Sequence, residues 1–203
     1  MIKLYYSPGA CSLAPHVVLE EIGAPYETEA VNLKAGEQRR PEFLARNPKG
    51  AVPALDTDHG VLTENVAILT YLAAIHPEAG LAPTGDAWAQ AGLTSFLSFL
   101  SSSIHPNIGK LLFYPLDAEA KAAQREVTLA KMRLIEDSLL VGPWALGETY
   151  SVADPYLMVF ERWARSGGLL TAADFPRMNA HLDAVQARPA VERALTQEGI
   201  AKV

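Results

Sequence analysis

The single cysteine of the chain, Cys11, lies where a thiol can be made reactive. Residues 2–6 are β-branched and aromatic and precede a Ser-Pro-Gly turn, which predicts a strand followed by a turn. Pro15 is tolerated only in the first turn of a helix, so we expect a helix to begin near Cys11 or Ser12. Since free backbone N–H groups and the helix dipole stabilise a thiolate, this position predicts a lowered pKa for Cys11. A packing role, common for free cysteines, is the alternative.

Two further positions have residue types suited to holding a ligand. Pro53 lies at the mouth of a predicted strand, a place where a residue without an N–H is tolerated. Val52 then has backbone groups free to pair with an extended ligand, although a structural turn would explain the same residues. Glu64 and Asn65 open the next predicted helix, whose N-terminus suits a carboxylate, and Glu64 could pair with an amine. Simple helix capping by Thr63 or Asn65 is the alternative.

The elements that must position these residues change along the chain. Residues 1–77 predict the order strand, helix, strand, helix, hairpin, helix, which makes a small mixed sheet with helices on its faces. Residues 78–86 are rich in Pro and Gly and predict a linker. Residues 87–203 have only helical patterns and predict a bundle of about five helices. The expected fold class is α/β plus all-α, with a four-stranded sheet domain followed by an all-helical domain.

Composition excludes several classes of function. The net charge of −6 argues against nucleic acid or an anionic membrane as the main partner. One cysteine excludes an intrachain disulfide and the Cys-rich sites of zinc and iron–sulfur proteins. Because position 14 is alanine, a Cys-x-x-Cys pair is absent, and any redox chemistry would need a second thiol from another molecule. No uninterrupted apolar run reaches about 18 residues, and no leader pattern is present, so the expected compartment is the cytoplasm.

Three segments together resemble one protein family. They are residues 7–16 (SPGACSLAPH), 47–55 (NPKGAVPAL) and 62–68 (LTENVAI). They resemble the thioredoxin-like domain of cytosolic glutathione S-transferases and, within that superfamily, look like the bacterial beta class. The helical half resembles that of the same family, and residues 151–154 (SVAD) are similar to its N-capping box, in which Asp154 has a structural role. The resemblance implies a thioredoxin-like fold, glutathione as co-substrate, no metal, small hydrophobic electrophiles, detoxification and a homodimer.

The resemblance also implies roles for individual residues. Cys11 matches the cysteine that lies beside the glutathione sulfur, and His105 matches a histidine that reaches toward the same atom. The positions implied to contact glutathione are Leu33, Lys34, Val52, Pro53 (with a cis peptide bond), Glu64, Asn65 and Ser98. The positions implied to line an electrophile pocket between the domains are Phe113, Tyr114 and Trp163, for which core packing is the alternative. Asn65, Ser98 and Pro106 depart from the residues usual in the family.

Alternatives remain for both the site and the activity. Tyr5, Tyr6 and Ser12 could activate the sulfur, as tyrosine or serine does in other classes, although the two tyrosines belong to a strand and suit packing. Pro106 predicts that His105 leaves the α conformation and that its helix breaks or kinks there. The first functional hypothesis is a glutathione transferase. The others are a thiol–disulfide reductase or peroxidase acting through a Cys11 mixed disulfide, and a non-catalytic glutathione-binding dimer.

Overall fold

The computed structural model describes residues 1–203, and the N-terminal part forms a sheet flanked by helices. Its elements are β1 (Ile2–Tyr6), α1 (Leu13–Ile22), β2 (Tyr26–Ala30), α2 (Pro41–Leu44), β3 (Ala54–Thr57), β4 (Gly60–Thr63) and α3 (Asn65–Ile75), with a 3-10 turn at Glu37–Arg39. The sheet order is β2-β1-β3-β4; β1 runs parallel to β2 and antiparallel to β3, and β3 and β4 form a hairpin. This is the predicted mixed sheet, and the expected fold class is confirmed.

The start of α1 follows the local sequence as predicted. The helix begins at Leu13, directly after Ser12, and Pro15 lies in its first turn, where no N–H is required. It ends at Gly23, whose φ of 71° is the left-handed conformation that glycine adopts without steric cost. The residues just before α1 therefore form a turn at the end of β1, and Cys11 belongs to that turn.

Several strands and helices are shorter than the sequence predicts. The residue pattern of 26–33 predicts a strand over that stretch, but β2 ends at Ala30, because the chain turns away into a loop that packs Val31 against Phe43 and Tyr5. The pattern of residues 52–56 predicts the next strand, but β3 begins at Ala54, since Pro53 has no N–H to donate to a ladder. A short helix is predicted for residues 41–46, and α2 ends at Leu44.

The second half of the chain is entirely helical, apart from one isolated bridge in the loop before α7. Its elements are α4 (Ala87–Phe99), α5 (His105–Phe113), α6 (Ala118–Leu134), α7 (Ala153–Ser166), α8 (Pro176–Gln186) and α9 (Pro189–Glu198). Two π-helical segments, Leu100–Ile104 and Ile135–Leu139, join α4 to α5 and extend α6. The result is five continuous helical runs, the number expected from the sequence.

The prediction that Pro106 takes His105 out of the α conformation and breaks the helix was wrong. His105 keeps the α conformation, with φ −51° and ψ −54°, and the helix continues into α5. The π-helical segment directly before it inserts an extra residue into the helix, a common response to a position where the regular hydrogen-bond ladder is interrupted. The proline is therefore accommodated in the first turn of α5 without a break.

One hydrophobic core joins the two halves. A cluster of 43 buried residues includes Val17 and Val18 of α1 together with Leu157 and Phe160 of α7, so the sheet domain and the helices are packed against each other. The first helix lies against α7 and α9. No helix combines the length and the hydropathy that a membrane crossing requires.

Candidate active site

A groove lies where the loop carrying Cys11, the turn before β3 and the start of α3 meet the helical half. The space between its walls measures about 470 Å³. The residues that line it are Cys11, Asn47, Lys49, Ala51, Val52, Pro53, Thr63, Glu64, Asn65, Ser101, His105 and Tyr156. Six of the positions predicted from the sequence therefore share one groove.

The Cys11 thiol is buried in the wall of this groove. Its Sγ lies 3.6 Å from the Val52 carbonyl oxygen, to which the protonated thiol donates. The predicted lowering of its pKa was wrong: burial raises the pKa to about 11, outweighing the hydrogen bonds from Asn65 and from backbone N–H groups. The backbone N–H groups at the helix N-terminus do lower the pKa of Cys11, as predicted. The loss of solvent around the nearly enclosed sulfur raises the pKa by more.

The Val52–Pro53 peptide bond is cis, as the resemblance implied. The Val52 N–H has no backbone partner, and its carbonyl accepts only the weak bond from Cys11. Asn47 shapes the preceding loop, because its side chain donates to the Ala51 carbonyl oxygen (2.7 Å) and accepts from the Lys49 N–H (3.1 Å). An extended ligand could therefore pair with the backbone of residue 52, as predicted.

The turn before α3 brings Glu64 and Asn65 to the other side of the groove. The Asn65 amide nitrogen donates to the Cys11 carbonyl oxygen (3.2 Å), and its oxygen is buried without a partner. Glu64 has a φ of 75°, the single positive φ among the non-glycine residues. Its carboxylate forms a solvent-exposed ion pair of 2.7 Å with Lys49, which also donates to Thr63 (2.9 Å).

His105 reaches the groove from the helical half. Its ring packs against the rings of Phe160 and Trp163, with both centroids 5.4 Å away, and Phe113 lies against Trp163 at 5.1 Å. Burial lowers the pKa of His105, so its imidazole is neutral at pH 7. Of the predicted pocket residues, Trp163 adjoins His105 and Phe113 adjoins Trp163. Phe113 (62%) and Tyr114 (68%) are largely exposed, and none of the three lines the groove itself.

The structure places other candidates away from the groove. Leu33 does not line the groove, although it packs against the small cluster that contains Val31 and Val52, and Lys34 is exposed in the loop that follows the shortened β2. Ser98 is exposed on α4 and does not line the groove, while Ser101, inside the π-helical segment, does.

The alternative hydroxyl groups do not face the groove either. Tyr5 and Tyr6 are buried on opposite faces of the sheet, which confirms their packing role. The Ser12 side chain is fully buried and bonds to the backbone of Ser7.

Sequence reasoning assigned no contact role to six groove residues: Asn47, Lys49, Ala51, Thr63, Ser101 and Tyr156. The first four lie inside the segments 47–55 and 62–68 that the sequence did single out, so those segments were a usable signal. Tyr156 follows the SVAD segment at the start of α7, and nothing in the local pattern distinguishes it from an ordinary core tyrosine.

The arrangement combines a thiol, a free backbone edge and buried polar atoms in one narrow space. Such a site suits an extended, peptide-like ligand. No group of three or more His, Cys, Asp or Glu residues is placed to hold a metal ion. A mixed four-stranded sheet, a cis-proline turn and an appended helical bundle define the glutathione S-transferase class of fold.

Comparison with known proteins leads to the same class. Residues 1–74 match the family model described as glutathione S-transferase, N-terminal domain. The chain is 36% identical to glutathione S-transferase GST-4.5 of Xanthomonas campestris pv. campestris over 98% of this chain and 100% of that protein. The chain belongs to the glutathione S-transferase family.

Two solved structures are similar over nearly their whole length. The glutathione S-transferase of a sphingomonad, complexed with glutathione, is 42% identical, with a TM-score of 0.88 over 98% of this chain and 100% of that one. The bacterial beta class glutathione S-transferase of Sphingomonas chungbukensis is 39% identical, with the same TM-score and the same coverage.

Proposed function

We propose that this protein is a glutathione transferase that joins the glutathione thiol to small hydrophobic electrophiles. The observation that carries the proposal is the groove, in which Cys11 Sγ lies 3.6 Å from the carbonyl of Val52 beside the cis-proline turn. A tripeptide whose central residue pairs with Val52 would have its sulfur next to Cys11. The family membership and the glutathione-bound sphingomonad relative support the same ligand.

The proposed glutathione contacts follow from what each side chain offers. Val52 supplies an unpaired N–H and a carbonyl for the cysteinyl unit, next to Pro53. Glu64 and the unpartnered oxygen of Asn65 suit the ammonium of the γ-glutamyl end, and the start of α3 suits its carboxylate. Lys34 remains the candidate for the glycyl carboxylate, because its exposed, flexible side chain is free to turn toward the groove, with Leu33 supporting the loop.

The proposed electrophile site adjoins the sulfur on the helical side. His105, Phe113 and Trp163 provide aromatic surface there, and such surface at a domain boundary suits small apolar molecules. The glutathione thiol, with an ordinary pKa of about 8.5, must first release its proton. The thiolate then forms a carbon–sulfur bond, and with an aryl halide the halide departs with its bonding electron pair.

Turnover of an aryl halide with glutathione tests this function directly. We expect a rate above the uncatalysed reaction that saturates with glutathione. If the protein bound glutathione but gave no conjugation and no reduction of disulfides, the non-catalytic dimer would be the correct hypothesis.

A second candidate, a glutathione-dependent thiol–disulfide reductase, is favoured by the place of Cys11 in the groove wall. The reductase requires the Cys11 sulfur for a mixed disulfide, so Cys11→Ala should abolish it. A transferase that uses His105 and backbone donors should keep much of its conjugation rate in the same variant. Mass spectrometry under non-reducing conditions would show a glutathione-sized adduct on Cys11 if the mixed disulfide forms.

We further propose assignments finer than family membership. The motifs of residues 7–16 and 47–55 support the beta class, and the element bounds support a sheet domain at 1–77, a linker at 78–86 and a helical domain at 87–203. A cytoplasmic role in detoxification accords with the single cysteine and with the proposed activity.

The proposed homodimer has a specific surface to support it. One side of α4 exposes Trp88 (87% exposed) beside the small residues Ala91, Gly92 and Ser95, a face that allows another helix to approach closely. Light scattering should give twice the mass of 21.9 kDa. A single species of monomer mass would contradict the dimer.

A further inference from the structure

A second cavity lies on the face of the sheet that is turned away from the helical half. Its walls come from the ends of β1 and β2, the 3-10 turn at Glu37–Arg39 and helix α2. Tyr6 packs into the core shared with the helical half, whereas Tyr5 belongs to the small cluster on the opposite face and lines the cavity. The space between the walls measures about 700 Å³, a size usual for small-molecule sites. No residue of this wall lines the groove beside Cys11, so the two sites are separate.

The hydroxyl of Tyr5 is a buried polar group without a partner in the protein. The residue is 1% exposed, and its side-chain oxygen makes no hydrogen bond. The ring is held edge to face against Phe43, with centroids 5.9 Å apart, and lies 5.5 Å from the Arg46 guanidinium carbon. Because a buried hydroxyl without a hydrogen bond is unfavourable, a ligand atom that supplied the missing bond would be bound more tightly.

The charged side chains of the wall leave one carboxylate without a counter-ion. All but Glu42 take part in ion pairs, which are Glu29 with Lys3 (2.6 Å), Glu37 with Arg40 (3.2 Å) and Arg46 with Asp56 (3.4 Å). Glu42 is exposed in the first turn of α2 and has no such partner. A cation can therefore bind to Glu42 directly, whereas an anion would have to break an existing ion pair of one of the arginines. The net charge of −6 also favours the approach of a cation.

Apolar surface completes the cavity. Val31 and Phe43 are 4% and 7% exposed and pack with Tyr5 in one cluster. Since aromatic rings prefer edge-to-face or offset contacts with one another, Phe43 and Tyr5 suit a flat aromatic body. The wall thus offers an apolar surface, a hydroxyl and a negative charge, and these select a ligand with an aromatic body, a hydrogen-bonding group and a cation.

We propose that this cavity binds a small arylalkyl amine, whose ammonium pairs with Glu42 and whose polar group hydrogen-bonds to the Tyr5 hydroxyl. Binding is non-covalent and leaves the ligand unchanged. The site does not depend on the proposed function, because the groove and the cavity have no residue in common.

Tyramine is the probe, since it carries an aromatic ring, an ammonium and a hydroxyl. Two analogues isolate its groups: phenethylamine lacks the hydroxyl, and hydroxyphenylacetate has a carboxylate in place of the ammonium. Titration of isotope-labelled protein, followed by nuclear magnetic resonance of the backbone amides, gives the dissociation constant and the place of binding. We expect tyramine to shift the amides around Tyr5 and Glu42 and to bind about fivefold more tightly than phenethylamine, and hydroxyphenylacetate not to saturate the protein.

Two variants and two matched controls test the residues of the wall. Tyr5→Phe should weaken tyramine binding about fivefold, because it removes one hydrogen bond, and should leave phenethylamine binding unchanged. Glu42→Gln should weaken the binding of both amines about threefold, the usual scale of an exposed ion pair. The controls are Tyr150→Phe, which removes another buried hydroxyl without a partner, and Glu126→Gln, which neutralises an exposed carboxylate on α6. Both lie outside the cavity, so these variants should bind tyramine as the wild type does.

Several results would overturn the proposal. Shifts confined to the groove around Cys11 and Asn65, absence of saturation by tyramine, or tighter binding of hydroxyphenylacetate would exclude an amine site in this cavity. An unchanged tyramine affinity in Tyr5→Phe or in Glu42→Gln would show that the assigned contact is not made. If Tyr5→Phe failed to fold, equal affinities of the wild type for tyramine and phenethylamine would count against the hydroxyl contact in the same way.

Discussion

The indole N–H of Trp163 donates a hydrogen bond of 2.8 Å to the carbonyl oxygen of Gly9, two residues before Cys11. The N–H of the same glycine donates to the Glu198 carboxylate, also at 2.8 Å. Both polar groups of Gly9 are therefore held by helices α7 and α9, far away in sequence. The position of the thiol depends on the helical half as much as on the sheet that carries it.

Glu198→Ala should destabilise the fold through this connection. The side chain is fully buried and accepts from the Gly9 N–H and from His16, whose Nδ1 lies 2.9 Å away. Removal leaves buried donors without partners, so we expect a loss of about 3 kcal/mol in the free energy of unfolding, measured by urea denaturation. Glu192→Ala on the same helix is the control, since that side chain is exposed and should change stability by less than about 0.5 kcal/mol. If the two changes lowered the free energy of unfolding equally, the hydrogen bonds of Glu198 would not contribute to stability.

The reactivity of Cys11 in the ligand-free protein should be low at neutral pH and should rise with pH. Because burial raises its pKa to about 11, the thiolate is a minor form at pH 7. Labelling by iodoacetamide should accelerate roughly tenfold per pH unit up to about pH 10. Cys11→Ala should abolish labelling, and a rate that levels off below pH 8 would contradict the raised pKa.

Glu64→Gly should weaken glutathione binding and increase the stability of the fold. Glu64 holds a φ of 75°, a conformation that costs energy for a residue with a Cβ atom. Glycine removes that strain, so we expect a gain of about 1 kcal/mol in the free energy of unfolding and a rise of about tenfold in the KM for glutathione. Glu64→Ala is the matched control, because it removes the carboxylate and keeps the strain. A stability gain in both variants, or in neither, would count against the strained turn.

The buried cluster of Asp154, Glu161 and His181 should make stability depend on pH. The His181 nitrogens lie 3.0 Å from Asp154 and 2.8 Å from Glu161. Burial alone would lower the pKa of His181, but its attraction to Glu161 and its bonds to both carboxylates outweigh burial and raise the pKa to about 10. Since the folded pKa lies above the unfolded value of 6.5, this stabilisation is complete below about pH 6.5 and decreases as pH rises toward 10.

Replacement of His181 by alanine checks this dependence. The change leaves two buried carboxylates without their cation, so we expect a loss of about 3–5 kcal/mol near pH 6.5. Between about pH 6.5 and 9, below the pH range of Cys11 ionisation, the wild type should lose stability more steeply than the variant. His59→Ala in the exposed β3–β4 turn should leave both the stability and its pH dependence unchanged. A parallel pH dependence of His181→Ala and the wild type would show that His181 is not charged in the fold.

Local sequence determined much of the fold. The type and order of the strands and helices follow from the spacing of the hydrophobic residues and from the positions of proline and glycine. These signals act through the backbone of a few neighbouring residues. Gly23 ends α1 where predicted, and β3 begins directly after Pro53 because proline has no N–H to donate to the sheet. One half of the Ser151–Asp154 capping box forms as expected, with the Ser151 N–H donating to the Asp154 carboxylate at 2.7 Å; the Ser151 hydroxyl oxygen accepts from the Ala153 N–H (3.3 Å) and not from that of Asp154.

Tertiary structure alone decided the chemistry of the site. The burial that raises the pKa of Cys11 comes from residues distant in sequence, so the local helix dipole predicted the wrong direction. Ser101, in the π-helical segment, lines the groove and Ser98 does not, and Tyr156 joins the groove wall because α7 packs against α1. Desolvation and long-range charge depend on the atoms that surround a group in space, and a linear sequence specifies those neighbours only through the completed fold.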